Sequence, residues 1–284
     1  MTKTIFLSCA IAIFSFASIG SAQSSYLGFD KNDYPGDEAM VKLRKTFRYT
    51  GYWLNNPPGL KRNPWVGKRP VIKEQGFGFL VLFNGRLSDQ LQGRDAAALG
   101  RFDGIAAVDS ALREGFPKNV RIFLDQEQGG RLLRDQAAYV LSWVDAVRDR
   151  GARAGIYCSG IDVPDGSGKI NTAENIEQLE REEKSREAPN SDLALRLWVA
   201  NDQCPPAPGC TETDLQPSEA ARLSDSSLIA VWQYAQSPRR GQYSSSCPRN
   251  AALDGNCYAP GLPPSRASLI DLDVSSSADP SEAP

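Results

Sequence analysis

The 284-residue chain contains no histidine. Hydrolysis by Ser-His-Asp or Cys-His machinery is therefore excluded, and so are histidine-ligated metal sites. Any hydrolytic chemistry has to rest on carboxylates, amides and tyrosines. Long lysine or arginine runs are missing too, so no nucleic-acid partner is expected. The sequence has no C-x-x-C pair, which leaves a four-cysteine zinc site with little support. No G-x-G-x-x-G follows the first apolar run, so dinucleotide binding has none. No cofactor is implied. Beyond residue 19 there is no apolar stretch near the ~20 residues that a membrane span requires.

The one long apolar stretch, residues 5–19, follows a short positive start containing Lys3 and precedes Gly20, Ser21 and Ala22. That is the layout of a secretory signal peptide over residues 1–22, cleaved before Gln23. The stretch is short for an anchor, so the expectation is a secreted, periplasmic or extracellular protein without stable membrane insertion. Loss of Lys3 leaves 31 basic against 34 acidic residues, a net charge of −3. Residues 23–275 fit one α/β domain, expected to be monomeric, and 276–284 (S-S-A-D-P-S-E-A-P) read as a disordered tail.

Five cysteines remain after Cys9 is removed. Export permits disulfides. Cys204 and Cys210 flank a proline-rich loop, and Cys247 and Cys257 flank another, so two local pairs are expected, Cys204–Cys210 and Cys247–Cys257. Cys158 is left as a buried thiol.

Eight short apolar runs recur: Tyr26–Asp30, Thr50–Leu54, Phe77–Phe83, Val120–Asp125, Arg153–Tyr157, Leu195–Ala200, Leu228–Tyr234 and Leu269–Val274. Several are continuously apolar, as parallel strands buried on both faces are. Amphipathic spacing predicts helices over Gly93–Gly115 and Gly130–Arg150, the second stopped by Gly151. A charged helix is expected over Asn171–Ser185 and a short one over Pro217–Leu223. Eight strands with intervening helices predict an α/β fold, an irregular (β/α)8 TIM-type barrel in a single domain.

Acids end several of these runs. Asp30 closes the first, Asp125 and Glu127 the fourth (F-L-D-Q-E), and Asp271 and Asp273 lie in the last. Barrel sites form where strands end, so these acids can meet at one mouth. On a strand, residues two apart point the same way with Cα atoms roughly 6.5–7 Å apart. Two carboxyls so placed repel, and a partly desolvated one keeps its proton. An acid and a base then come from one short peptide, as glycosidic cleavage requires. A divalent-cation site is the alternative use of such oxygens. Aromatics near the strand ends are candidates to stack on sugar rings: Trp53, Tyr157, Trp198, Trp232 and Tyr234, with Tyr34 nearby. Gln233, Asn84 and Asn201 are candidates to bind hydroxyls.

The segments G-F-D, F-L-D-Q-E, G-I-Y-C-S, L-W-V-A, V-W-Q-Y and I-D-L-D occur in the order seen in family 25 glycoside hydrolases, the barrel lysozymes. More closely, the chain resembles the secreted glycoside-hydrolase-like domains of the Rv2525c type. The resemblance spans Tyr26 to Val274. It implies Glu127 as general acid and Asp125 as the group that orients a substrate N-acetyl or stabilises the cation. Asp30 and Asp271 complete an acidic floor. Asp273 stands where the family usually has Asn, and L-W-V-A-N-D replaces the usual W-x-A-x-Y. The expected function is a glycoside hydrolase-like protein acting with retention on an amino-sugar glycan such as peptidoglycan. A non-catalytic glycan-binding barrel is the alternative, and a cation-dependent phosphodiester hydrolase is a third reading.

Overall fold

The structure is a computed structural model that describes residues 25–184, 194–205, 211–212, 214–240, 247 and 251–282. The first strands are β1 (Tyr26–Asp30), β2 (Tyr49–Trp53), β3 (Gly78–Asn84), β4 (Arg121–Asp125) and β5 (Arg153–Ser159). A small hairpin follows, β6 (Val163–Asp165) and β7 (Gly168–Ile170). The rest are β8 (Arg196–Ala200), β9 (Ile229–Ala235) and β10 (Asp271–Ser275). All but the hairpin close into a barrel in the order β1-β10-β9-β8-β5-β4-β3-β2. The eight-stranded barrel read from the apolar runs is what forms. The strands are parallel except β10, which runs antiparallel to both β9 and β1.

Helices coat the outside: α1 (Asp37–Leu43), α2 (Arg69–Glu74), α3 (Ser88–Leu91), α4 (Ala96–Arg113), α5 (Arg134–Asp149) and α6 (Thr172–Lys184). α4 starts where the Asp95 carboxylate accepts from Ala98 N at 3.0 Å, satisfying one of the free first-turn donors. α5 stops at Gly151, whose φ of 80° is one that glycine adopts without strain. The face of α5 carrying Tyr139, Val140, Trp143 and Val147 is buried, as its spacing requires. The segment 217–223 makes only a three-residue 3₁₀ turn, Pro217–Glu219. No helix among the described residues is long and apolar enough to cross a membrane. Residues 1–22, the expected signal peptide, lie outside the described residues.

Two expectations are corrected. Cys204 pairs with Cys247, 43 residues away, and not with Cys210; the Cys247–Cys257 pair is excluded with it. Cys210 lies outside the described residues. Local spacing misleads here because Cys204, just after β8, and Cys247, beyond β9, meet in space, so the near partner in space is the far one in sequence. Cys158 is buried in β5, and burial pushes its thiol pKa up.

The second correction is the tail. β3 pairs with β4 only from Val81 onward, which leaves its first residues open on that side. Residues 278–281 occupy the gap. Asp279 Oδ1 accepts from Phe79 N at 3.1 Å and Ser281 Oγ from Val81 N at 2.9 Å. Ser281 N donates to Phe79 O, and Ser281 O accepts from Arg121 N and Arg153 Nη2. Ser281 is fully buried. The segment is ordered because its short polar side chains satisfy strand N–H groups that the barrel leaves unpaired.

Candidate active site

β10 decides which acids meet. Because it runs backwards, its first residue, Asp271, sits beside the last residue of β1, Asp30, as a direct Cα partner. Asp125 ends β4 next to Asn84 on β3 and Tyr157 on β5. Asp30, Asp125, Glu127 and Asp271 are thus gathered at the mouth where the parallel strands end. Asp273 lies one pleat deeper, opposite Gly28 and Gln233.

Room for these groups comes from small residues in the wall. A Cβ on Gly28 would stand 2.1 Å from the Tyr49 ring, and one on Gly51 would stand 2.8 Å from the Asp30 Cβ. Both glycines are needed for the neighbouring side chain to point inward.

Hydrogen bonds hold the floor. Gln233 Nε2 donates to Asp30 Oδ2 at 2.7 Å, and Gln233 Oε1 accepts from Tyr157 OH at 2.8 Å and Gln236 Nε2 at 2.9 Å. Asp271 Oδ1 accepts from Ser237 N at 2.5 Å, and Asp273 Oδ1 from Trp198 Nε1 at 2.9 Å. Asp125 Oδ1 is buried with no hydrogen-bond partner among the described residues.

Burial with so few donors raises every one of these carboxyls. Asp125 is pushed well above the usual carboxylate range by burial, then by Glu127 and Asp30. Asp271 rises through burial and the nearby Asp30. Asp30 reaches only about 6, because the hydrogen bond from Gln233 offsets part of its burial. Glu127 is exposed to the open mouth, yet partial withdrawal from water lifts its pKa too. Raising these carboxyls favours their protonated forms, the direction that acid catalysis needs.

Glu127 lines a cleft of about 590 Å³ with Tyr157, Ser159, Asn201, Asp202, Gln236 and Arg239. Its other wall includes Val163 of the β6–β7 hairpin. Of the aromatics expected to stack on sugars, only Tyr157 lines the cleft and is partly exposed. Trp53, Trp198, Trp232 and Tyr234 are buried at 3% exposure or less, so none offers a ring face to a ligand. In W-Q-Y it is the middle residue that points into the barrel, while Trp232 and Tyr234 stack edge-on behind it. Trp198 serves instead as the donor to Asp273. Asn84 bonds the carbonyl of Asn56, tying the β2–β3 loops together, and is not part of the cleft wall. Tyr34 is occupied with Asp37 and Trp65. Asp273, fully buried, does not reach a ligand.

Sequence reasoning missed Gln236 and Arg239. Gln236 donates to Tyr157 OH at 3.0 Å, and Arg239 pairs with Asp202 at 2.9 Å. The signal for both was weak, a polar stretch just past a strand end. No group of His, Cys, Asp and Glu among the described residues has a metal-binding arrangement.

A family model described as Rv2525c-like, glycoside hydrolase-like domain matches residues 48–192. No curated protein matches the chain in sequence. Among solved structures, an uncharacterized protein of B. stearothermophilus is 20% identical with a TM-score of 0.56, over 88% of this chain and 95% of that one. The Mycobacterium tuberculosis Tat-secreted protein Rv2525c in complex with L-tartrate is 9% identical with a TM-score of 0.50, over 92% of this chain and 100% of that one. A family 25 glycosyl hydrolase from Bacillus anthracis is 10% identical with a TM-score of 0.44, over 89% of each chain, too distant to argue from. At these identities the likeness is one of fold.

Proposed function

The chain belongs to the Rv2525c-like, glycoside hydrolase-like domain family, and from that premise we propose that it cleaves an amino-sugar glycan, peptidoglycan being the first candidate, by carboxylate catalysis with retention. The carrying observation is the placement of Glu127 on the wall of the cleft, with Asp125, Asp30 and Asp271 gathered at the same mouth. Glu127, raised by desolvation and open to the cleft, protonates the leaving oxygen. Asp125 stabilises the sugar cation or orients the N-acetyl group. Asp30 and Asp271 set the charge of the floor. Tyr157, Asn201 and Gln236 bind the sugar. The chain acts outside the cytoplasm after loss of residues 1–22, a reading supported by the signal-peptide layout of those residues and by a fold relative that is Tat-secreted.

The experiment is reducing-end release from peptidoglycan and chitooligosaccharides by the purified chain. Glu127→Gln is expected to lower the rate at least ~100-fold, the scale of a lost general acid, while ligand binding persists. Proton NMR of the first-formed anomer tests retention. No release from any glycan offered would remove the hydrolase reading.

A glycan-binding barrel without turnover is the second reading, on the observation that Asp273 and L-W-V-A-N-D depart from the lysozyme pattern while the cleft stays open. It predicts binding that survives Glu127→Gln and no product from either form.

A further inference from the structure

Asp273 is the most enclosed acid in the barrel. It is 0% exposed, and of its two oxygens only Oδ1 receives a donor, Trp198 Nε1 at 2.9 Å. Oδ2 is buried with no hydrogen-bond partner among the described residues. The groups that face Asp273 are the Asp30 carboxyl from β1, the Tyr49 phenol from β2 and Asp271 from its own strand, with the Tyr234 phenol of β9 on the far side of that strand. Each is acidic. No lysine or arginine among the described residues forms an ion pair with it. Asp273 is the Cα partner of Gly28, two residues before Asp30 on the same side of β1, so the two carboxyls are diagonal neighbours across the β1–β10 ladder. Two carboxylates have four acceptor oxygens and no hydrogen to share, so an ionised Asp273 would leave one oxygen orphaned against a like charge. A proton on Oδ2 removes both faults at once.

We propose that Asp273 carries a resident proton and donates it to Asp30, acting as a positioning residue that holds Asp30 as an oriented carboxylate beneath the cleft. Asp30 then has two donors, Gln233 Nε2 on Oδ2 and the Asp273 hydroxyl. The directions agree: Asp273 is pushed well above the carboxylate range by burial, Asp30 and Asp271, while Asp30 is kept lower by its donors. The importance of Asp30 rests on the proposed hydrolysis; the location of the proton does not.

The test uses the full chain with aspartate labelled by ¹³C at the carboxyl carbon, followed by NMR from acid to alkaline pH. The expected record is a resonance that stays at the protonated position through neutral pH and disappears in Asp273→Asn. If every aspartate resonance has ionised by neutral pH, or if the protonated ones all survive in Asp273→Asn, the proposal is overturned. A charged Asp273 held by the Tyr49 hydroxyl gives that second record, with a carboxylate resonance that moves in Tyr49→Phe.

Activity supplies an independent arm. The Asn side chain keeps an acceptor for Trp198 and a donor for Asp30, so Asp273→Asn should leave the pH–rate profile unmoved. Asp273→Leu removes the donor and should shift its acid limb upward by about one pH unit, the scale of one hydrogen bond to a charged group. A uniform fall in kcat with no shift would reduce Asp273 to packing and overturn the positioning role. Because the NMR record needs no turnover, an inactive protein leaves this proposal decidable. A cleaving protein without the resident proton loses this proposal alone.

Discussion

Gln233 is the residue on which the most contacts at the mouth converge. Its amide nitrogen serves Asp30 and its amide oxygen collects Tyr157 and Gln236, so one side chain ties the floor of the barrel to the cleft wall. Leucine at this position would take a donor from the buried Asp30 carboxylate and an acceptor from the Tyr157 hydroxyl. Gln233→Leu is expected to lower stability by about 1–3 kcal/mol, the penalty for a buried group left unpaired. It should also raise the pKa of Asp30, moving the acid limb of the pH–rate profile upward. Thermal melts and a pH series on the purified variant check both. An unchanged profile would mean that Gln233 does not set the charge of Asp30.

Among the elements, the reversed last strand and the segment after it matter most. Residues 278–281 cap the start of β3, and the Ser281 carbonyl accepts from Arg121 N at the start of β4. Ending the chain after Ser277 leaves the N–H groups of Phe79, Val81 and Arg121 without partners at the rim. At ~1 kcal/mol for each, the truncated chain is expected to lose about 3 kcal/mol. Denaturant unfolding measures this, and a loss near zero would show that water replaces the segment without penalty.

These elements also mark how far the residues themselves were informative. The eight barrel strands were legible because continuous apolar runs bounded by turns leave few other assignments. The acids at their ends were legible for the same reason. The direction of β10 was not, since I-D-L-D-V carries the same pattern read either way. The inward parity of W-Q-Y was hidden by the property that identified the strand. A strand buried on both faces has large apolar groups on each, so alternation does not reveal which side lines the barrel. Cys204 and Cys247 were unreadable because their pairing depends on two loops meeting. The tail was misread because serine-rich composition looks solvated, whereas here it supplies acceptors to a sheet edge.

The molecule as a whole concentrates uncompensated acidity in its interior. Asp30, Asp125, Asp271 and Asp273 all have pKa values raised by folding, Asp30 to about 6. An unfolded aspartate titrates near ~3.9. The folded chain therefore binds these protons more tightly than the unfolded one. The resulting stability is fully present below about pH 4 and is lost as pH rises through 6 and beyond. At ~1.4 kcal/mol for each pH unit between the two values, Asp30 alone accounts for roughly 3 kcal/mol. The lowered Asp37 and Asp165 lie at the surface, where solvent and salt weaken them, and do not reverse the trend. Melting temperature is expected to be highest in mildly acidic buffer and to fall toward neutral and alkaline pH. A melting temperature that rises over that range would contradict the charge state assigned to the floor.

Because β10 returns antiparallel, Tyr26 and Ser275 are Cα partners, and the barrel is entered and left at adjacent points on the face away from the cleft. An affinity handle, a fluorescent carrier or a solid support joined before residue 25 or after residue 282 is thus led off behind the molecule. Tethered that way, the protein presents an unobstructed opening outward, and an insoluble polymer too large to enclose can still be drawn across it.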